Sequence, residues 1–455
     1  MVANAEESAW LWEFLAFEDQ SRKWMPSVRH GKADAFTRLY DRMLNRIPTG
    51  VVDLVRDRAP MDGYAIEIED QRLMPCEWDV QADIAWLRDY QDEGVRLGRQ
   101  WERGVFDWVT GGGKTEAIIA LSQVFPCKTL VIAPSIDLVL QASERYTLRT
   151  GKKAGTIGEG KWKPDSRFTV STFKTLADRL RDEDPVCIAF LDSIEMVLVD
   201  EVHLAAADTI FGVLMAMPNA YFRYGFSGTP LQRTDQRSIL AVAAVGRVIH
   251  KIEPKTLQDL GILATPEIRM VPIDHGDLFR MTYQGLYGEA IVRSTERNRL
   301  IVEMCAAADK PALCFVKQVS HGQTITDKLQ RAGIKADFAW GDLRSGSRKS
   351  SLDALMVGDT DVLVCNVIFQ TGIDLPELRS CVIACGGKSP IAVLQRIGRG
   401  MRIAPGKTTF QVWDVLDGNQ KTLERHAKDR HRVYRSQGYE VEEITRECLQ
   451  NILKA

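Results

Sequence analysis

The chain has 455 residues, 45% of them hydrophobic and 26% charged, a length that requires roughly two to four folding units and a composition that excludes a disordered chain. Lys+Arg 59 against Asp+Glu 61 gives a net charge of −2, which excludes a bulk-basic nucleic-acid coat; contact with DNA or RNA has to come from local positive patches. The first residues are acidic where a secretory signal is basic, and the longest uncharged apolar stretch, near Ile239–Val245, is far below the roughly 20 residues that span a bilayer. A soluble cytoplasmic protein with no membrane partner is expected, its nine cysteines reduced and, with no CxxC pair, not arranged to bind metal.

Residues 1–78 form the first expected domain. Trp10, Trp12, Phe14, Phe17 and Trp24 crowd its start, and tight turns at Pro48-Thr49-Gly50 and Pro60–Gly63 punctuate short alternating runs at Gly50–Val55 and Tyr64–Ile68. The pattern predicts a small α+β module. Between Arg22 and Arg46 seven Lys/Arg face two acids, which makes Arg29, Lys32 and Arg38 candidate DNA contacts on a basic stripe.

From 79 to 255, β-rich runs alternate with helical patterns: Val105–Val109, Thr129–Ala133, Phe168–Ser171, Met196–Val199 and Tyr224–Ser227. A second such set fills 256–417, at Ala312–Val316, Lys335–Ala339, Val362–Cys365, Cys381–Ala384 and Phe410–Trp413. Strands alternating with helices argue for parallel sheets covered on both faces, hence two α/β lobes in tandem. The tail, 418–455, reads as helical and starts basic, with six Lys/Arg and two acids from Lys421 to Arg435.

The chemistry starts where the first strand of lobe one runs into Thr110-Gly111-Gly112-Gly113-Lys114-Thr115 and then a helical pattern. Glycines let backbone N–H groups curl around a phosphate, and the helix N-terminus adds partial positive charge. Lys114 would reach the β- and γ-phosphates and the Thr115 hydroxyl would hold Mg²⁺. The pattern departs from a full phosphate-binding loop at Trp108, where a glycine is expected. Eighty-six residues after Lys114, the apolar run Met196–Val199 ends in Asp200-Glu201-Val202-His203. A carboxylate at a strand end beside such a loop is where phosphate-bound Mg²⁺ needs a second anchor, Asp200, and Glu201 is placed to polarise a water. His203 reads as a coupler to the rest of the site.

These residues resemble the superfamily 2 DExH helicases, and further motifs follow in the order of that family. The resemblance implies two RecA-like lobes and ATP as cofactor with Mg²⁺. It assigns Gln91, with Arg88, to the adenine, and Ser135 and Thr172 to a nucleic-acid backbone. Ser227 and Thr229, in Ser227-Gly228-Thr229-Pro230, fall to coupling ATP state to strand movement. In lobe two, Gln370-Thr371-Gly372-Ile373-Asp374 matches the next motif, with Thr371 toward nucleic acid and Gly372 and Asp374 toward nucleotide. Gln395–Arg402 matches the arginine-finger motif, with Gln395 in coupling and Arg399 and Arg402 catalytic. Planar guanidinium forks suit the charge that grows on γ-phosphoryl oxygens, so these arginines would complete a site that lobe one half builds.

The N-terminal stretches Trp12–Phe17, Arg29–Lys32, Arg38–Asp41 and Ile47–Gly50 are similar to the small first domain of phage UvsW-type helicases, as are Val319–Gly322, Gly387–Ser389 and Val412–Asp414 in lobe two. That likeness implies an ATP-driven DNA motor for branched substrates in phage-type replication, recombination and repair; a monomer is expected. It would move Holliday junctions, regress forks and dissociate R-loops or D-loops, in the host cytoplasm if phage-encoded. Another superfamily 2 motor, an RNA helicase or a restriction-system translocase subunit, is the alternative; a DNA-binding scaffold without ATP turnover is a third, opposed by the presence of Lys114, Thr115, Asp200, Glu201, Arg399 and Arg402.

Overall fold

The computed structural model describes residues 3–19, 22, 25–31, 33–79, 81–228, 238–276, 278, 282–340, 345–366, 375–387, 397–398 and 400–454, with the side chains of 206 and 345–349 outside the description. The chain divides into two compact units, Met1–Ile252 and Glu253–Ala455.

The first unit opens on helix Ala5–Phe14, capped by Asn4, whose side chain accepts from the Glu7 N–H while the Glu7 carboxylate accepts from the Asn4 N–H. An antiparallel pair follows, β1 (Ala16–Glu18) with β2 (Phe36–Arg38). The run Gly50–Val55, alternating in sequence, is instead the turn Thr49–Val51 and helix Val52–Arg58, and Tyr64–Ile68 has no regular structure. Val51 and Val55, four apart, are both buried on one face of this helical segment. That face joins Leu11, Leu15, Phe17, Leu39 and Tyr40 in a core completed by Leu240 and Ala243 from helix Ser238–Val245. Gly50 permits the contact, because a Cβ there would lie 2.2 Å from the Val242 carbonyl oxygen. The N-terminal segment thus shares its core with the α/β body that follows.

That body is an eight-stranded sheet. Its strands in chain order are β3 (Arg103–Trp108), β4 (Thr129–Ala133), β5 (Gly155–Gly158), β6 (Lys161–Lys163), β7 (Phe168–Thr172), β8 (Met196–Asp200), β9 (Phe222–Ser227) and β10 (Val248–Ile252). They lie in the order β10-β3-β9-β8-β4-β7-β5-β6, every pairing parallel except β5 with β6. The five strands expected from sequence are all present; β5, β6 and β10 are additional.

The second unit holds a seven-stranded all-parallel sheet of β11 (Thr265–Asp274), β12 (Ala312–Val316), β13 (Ala336–Ala339), β14 (Val362–Asn366), β15 (Ser380–Ile383), β16 (Thr409–Gly418) and β17 (Val441–Glu443). Its order is β13-β14-β12-β15-β16-β11-β17. Strand β11 carries Pro266 and Pro272, which argue against a strand. Its even-numbered residues point their N–H and C=O toward β17, as Ile268 and Met270 do, and β17 covers only Ile268–Met270. Both prolines therefore lie where no β17 residue pairs with β11. The basic tail helix, Lys421–Ser436, buries Leu423, His426, Ala427, Arg430 and Tyr434 against this unit. Arg430 makes a two-pronged pair with Asp414, at 2.8 and 3.1 Å, and donates to the carbonyls of Val415 and Gly387. Among the described residues no disulfide links the nine cysteines, and no helix is long and apolar enough to cross a membrane.

Candidate active site

Register brings the first unit's candidates to one edge of its sheet. Asp107 pairs with Ser227, Asp200 with Phe226, Val199 with Ile132, and Ala133 with Thr172. The C-terminal ends of β3, β9, β8, β4 and β7 therefore lie side by side, and segments leaving those ends carry Thr110–Thr115, Ser227, Asp200–His203, Ser135 and Thr172. Ligands of open α/β sheets bind at this edge.

β3 ends at Trp108 and the glycine loop leads into helix Lys114–Val124. Gly111 and Gly113 adopt positive φ, 88° and 77°, a conformation that side chains resist, and Thr110 through Thr115 are half-buried apart from the buried Gly112. The loop is braced from helix Asp89–Trp101. The Gln91 amide donates to the Gly112 carbonyl at 3.2 Å and its oxygen accepts from the Arg88 N–H, while the Tyr90 hydroxyl donates to the same Gly112 carbonyl. The Gln91 side chain, expected at the adenine, here braces the glycine loop, and the Arg88 guanidinium reaches the Tyr90 hydroxyl. Trp108 is fully buried, and its indole N–H donates to His250 Nδ1 at 2.8 Å.

Opposite the loop, Glu201 stands just past β8 in the left-handed region, φ 55°. Its Oε1 accepts from Lys114 Nζ at 3.1 Å; its Oε2 lies 3.2 Å from both Ser227 Oγ and His203 Nδ1, which are themselves 2.9 Å apart. Lys114, Glu201, Ser227 and His203 therefore form one connected chain. Desolvation at the strand end pushes the Asp200 carboxyl up to about 6 against the pull of Lys114. Desolvation acts on Glu201 too, but the Lys114 ammonium and the His203 ring hold its carboxyl well below the usual carboxylate range. Two adjacent carboxylates are thus pushed apart in proton affinity, the condition under which neighbouring acids take different roles.

The donors fit a phosphate-bound divalent cation better than a protein-caged one. Among the described residues no group of three His, Cys, Asp or Glu side chains could hold a metal. Asp200 accepts from the Glu201 N–H, and a cation would offset the desolvation its carboxylate bears. Ser135 and Thr172 cap the helices Ile136–Thr150 and Phe173–Arg181, accepting from the N–H groups of Leu138 and Thr175.

Of the remaining candidates, Lys32, Thr229, Thr371, Gly372, Asp374, Gln395 and Arg399 lie outside the described residues. Arg402 forms a backbone bridge with Leu263 in the second unit. In the basic stripe Arg29 is exposed, whereas Arg38 makes a two-pronged pair with Asp34 and lies 4.6 Å from the Trp12 ring centre, opposite a second guanidinium, Arg42, at 4.2 Å. Part of the local positive charge is therefore spent within the module. Sequence reasoning missed Tyr90 and His250; the only available signal was the aromatic at 108, which needed a buried partner for its N–H.

A glycine loop and an acidic strand end on one parallel sheet, followed by a second parallel-sheet unit, define a phosphate-loop NTPase of the helicase type. Residues 75–232 match the family described as type III restriction enzyme, res subunit, and residues 296–404 match the helicase conserved C-terminal domain. The chain belongs to the superfamily 2 helicases, and it is an ATP-using, nucleic-acid-dependent enzyme of the DNA helicase or translocase kind. It is 27% identical to the ATP-dependent DNA helicase uvsW of Enterobacteria phage T4 over 91% of this chain and 88% of that protein. It is 30% identical to a putative DNA 3'-5' helicase Rad25 of Halobacterium salinarum, over 81% of this chain but 60% of that protein. In fold it resembles S. cerevisiae Dbp5 bound to RNA and ADP BeF3, with a TM-score of 0.59 at 16% identity, covering 80% of this chain and 92% of that one.

Proposed function

We propose that the chain is an ATP-driven DNA motor that remodels branched DNA, moving four-way junctions, regressing forks and dissociating R-loops and D-loops in the cytoplasm. The observation that carries the motor is the chain Lys114–Glu201–Ser227–His203. Lys114 is paired with Glu201. A triphosphate on the glycine loop offers the ammonium stronger acceptors, so Lys114 exchanges Glu201 for phosphate oxygens. Glu201, relieved of the ammonium that held its proton affinity down, is then free to orient a water and take its proton. Ser227 and His203 feel that change through the Glu201 carboxylate, which gives the residues after β9 a means of sensing nucleotide. Mg²⁺ held by Thr115 and Asp200 would neutralise phosphate charge when bound. Arg399 and Arg402 enter this reading through their motif alone.

The branched-DNA substrate is supported by likeness to the phage T4 helicase along 91% of this chain. A second reading, a restriction-type translocase, is favoured by the description of the family matched at 75–232. One experiment separates them: ATPase rate with single-stranded DNA, linear duplex, a four-way junction, an R-loop and RNA. The proposal expects the junction and R-loop to stimulate most. Equal stimulation by linear duplex favours the translocase, and maximal stimulation by RNA overturns both.

A further inference from the structure

The arginine motif of the second unit rests on a buried ammonium. Its helical turn, with Ile397, Gly398 and Gly400, stops at Gly400, and Arg402 enters the bridge with Leu263. A helix end leaves carbonyl oxygens without helical donors. Here Lys407, only 3% exposed, reaches back: its Nζ donates to the Gly400 carbonyl at 2.5 Å and to the Pro376 carbonyl at 2.9 Å. The ammonium also lies 5.3 Å from the centre of the Phe410 ring. That ring packs directly on Gly400, where a Cβ would meet it at 1.9 Å. On the far side, the Ala264 N–H donates to the Met401 carbonyl at 2.6 Å, and the Tyr439 hydroxyl reaches Met401 Sδ. The backbone on both sides of Met401 is thereby held.

We propose that Lys407 is a positioning residue for ATP hydrolysis: by tying the Gly400 carbonyl to that of Pro376, it fixes the backbone from which Arg402 projects. As a stabiliser alone the arrangement is poor. Burying an ammonium against carbonyls costs desolvation that an apolar side chain of similar length avoids. The charged groups facing it are Arg379, which repels it and holds the Gly406 carbonyl, and Glu377, which attracts it; burial and Arg379 together bring the ammonium down to about 8. What the ammonium supplies, and an alkyl chain does not, is two directed bonds joining two separate segments. The inference rests on the arginine motif acting in hydrolysis, as proposed above.

The test uses the full chain with Lys407→Met, Arg402→Ala and the double variant, measuring DNA-stimulated ATPase and the thermal midpoint. Lys407→Met should lower kcat by about 10–100-fold, the effect of a small misplacement at a catalytic group, with KM for ATP within about threefold. The double variant should be no slower than Arg402→Ala, since Lys407 acts through that residue. Lys407→Gln, whose amide can donate to both carbonyls, should recover part of kcat, and it replaces the methionine variant if the latter fails to melt cooperatively. Wild-type kcat in Lys407→Met beside an impaired Arg402→Ala overturns the positioning role, as does full additivity in the double variant. Wild-type turnover in Arg402→Ala overturns the reading of the motif itself.

Discussion

His321 makes the stability of the second unit pH-dependent, and the size of the effect follows from its surroundings. The ring is fully buried, with Nε2 2.9 Å from Asn298 Oδ1. The Asn298 amide nitrogen donates to the Val292 carbonyl, so Oδ1 faces His321 and can only accept; Nε2 therefore carries the proton. Among the described residues Nδ1 is buried without a hydrogen-bond partner. A second proton there would be charged, unpaired and close to Arg297, so burial and Arg297 push the ring down to about 3 from 6.5. The folded state thus binds its proton more weakly than the unfolded state. The stabilisation is complete above pH 6.5 and is lost as pH falls toward 3. Between pH 7 and 5 the loss comes to about 2 kcal/mol, or roughly 4–8 °C in the melting of a unit this size. Other groups titrate over the same range, so the quantity to measure is the difference between wild type and His321→Gln, which cannot titrate and whose amide can still donate to Asn298. The wild type should lose about 2 kcal/mol more than the variant between pH 7 and 5. Parallel stability curves, or an NMR titration of the ring near 6.5, would refute the reasoning.

Three further outcomes are expected. Glu201→Gln should lower kcat for ATP by about 10²–10⁴-fold while nucleotide binding, followed by fluorescence of a labelled nucleotide, persists, because the amide keeps the shape and loses the base. Arg430→Met should destabilise the second unit by about 3–5 kcal/mol in denaturant unfolding, since it strands the Asp414 carboxylate in a site with no exposure. Arg38→Ala should cost the N-terminal module about 1 kcal/mol, seen as faster limited proteolysis before Gly50, because the side chain is part of a two-pronged pair and a stack on Trp12.

Most strands that sequence reasoning located are buried on both faces, where a continuous apolar run has no other use. Val362–Cys365 and Met196–Val199 are of this kind. The strands it missed lack that signature. β11 mixes two prolines and charged residues because one of its sides is covered only at its middle, and β10 alternates poorly because four of its five residues are not fully buried. The tail helix was legible as basic, but its composition conceals that Arg430 is sealed inside: guanidinium burial depends on Asp414, which stands on a strand in another part of the chain. Site residues followed the same division. Lys114 and Asp200–His203 sit at strand ends that the pattern marks, whereas Tyr90 and His250 act through contacts that no spacing predicts.

The departure at Trp108 illustrates why a pattern can fail locally while the local backbone geometry is kept. Trp108 is the last residue of β3, paired with Ile252 on β10, in extended backbone that any side chain adopts. Only the turn itself, at Gly111 and Gly113, requires positive φ. A large side chain at 108 needs volume instead of dihedral freedom, and Gly94 supplies it: a Cβ there would lie 2.5 Å from the indole ring. The glycine missing from the loop is thus compensated by a glycine in helix Asp89–Trp101, the same helix whose Gln91 and Tyr90 hold the Gly112 carbonyl. An indole wedged between that helix and His250 joins the loop's two supports into one packed layer, so the phosphate loop keeps its shape through its neighbours where its own sequence departs from the pattern.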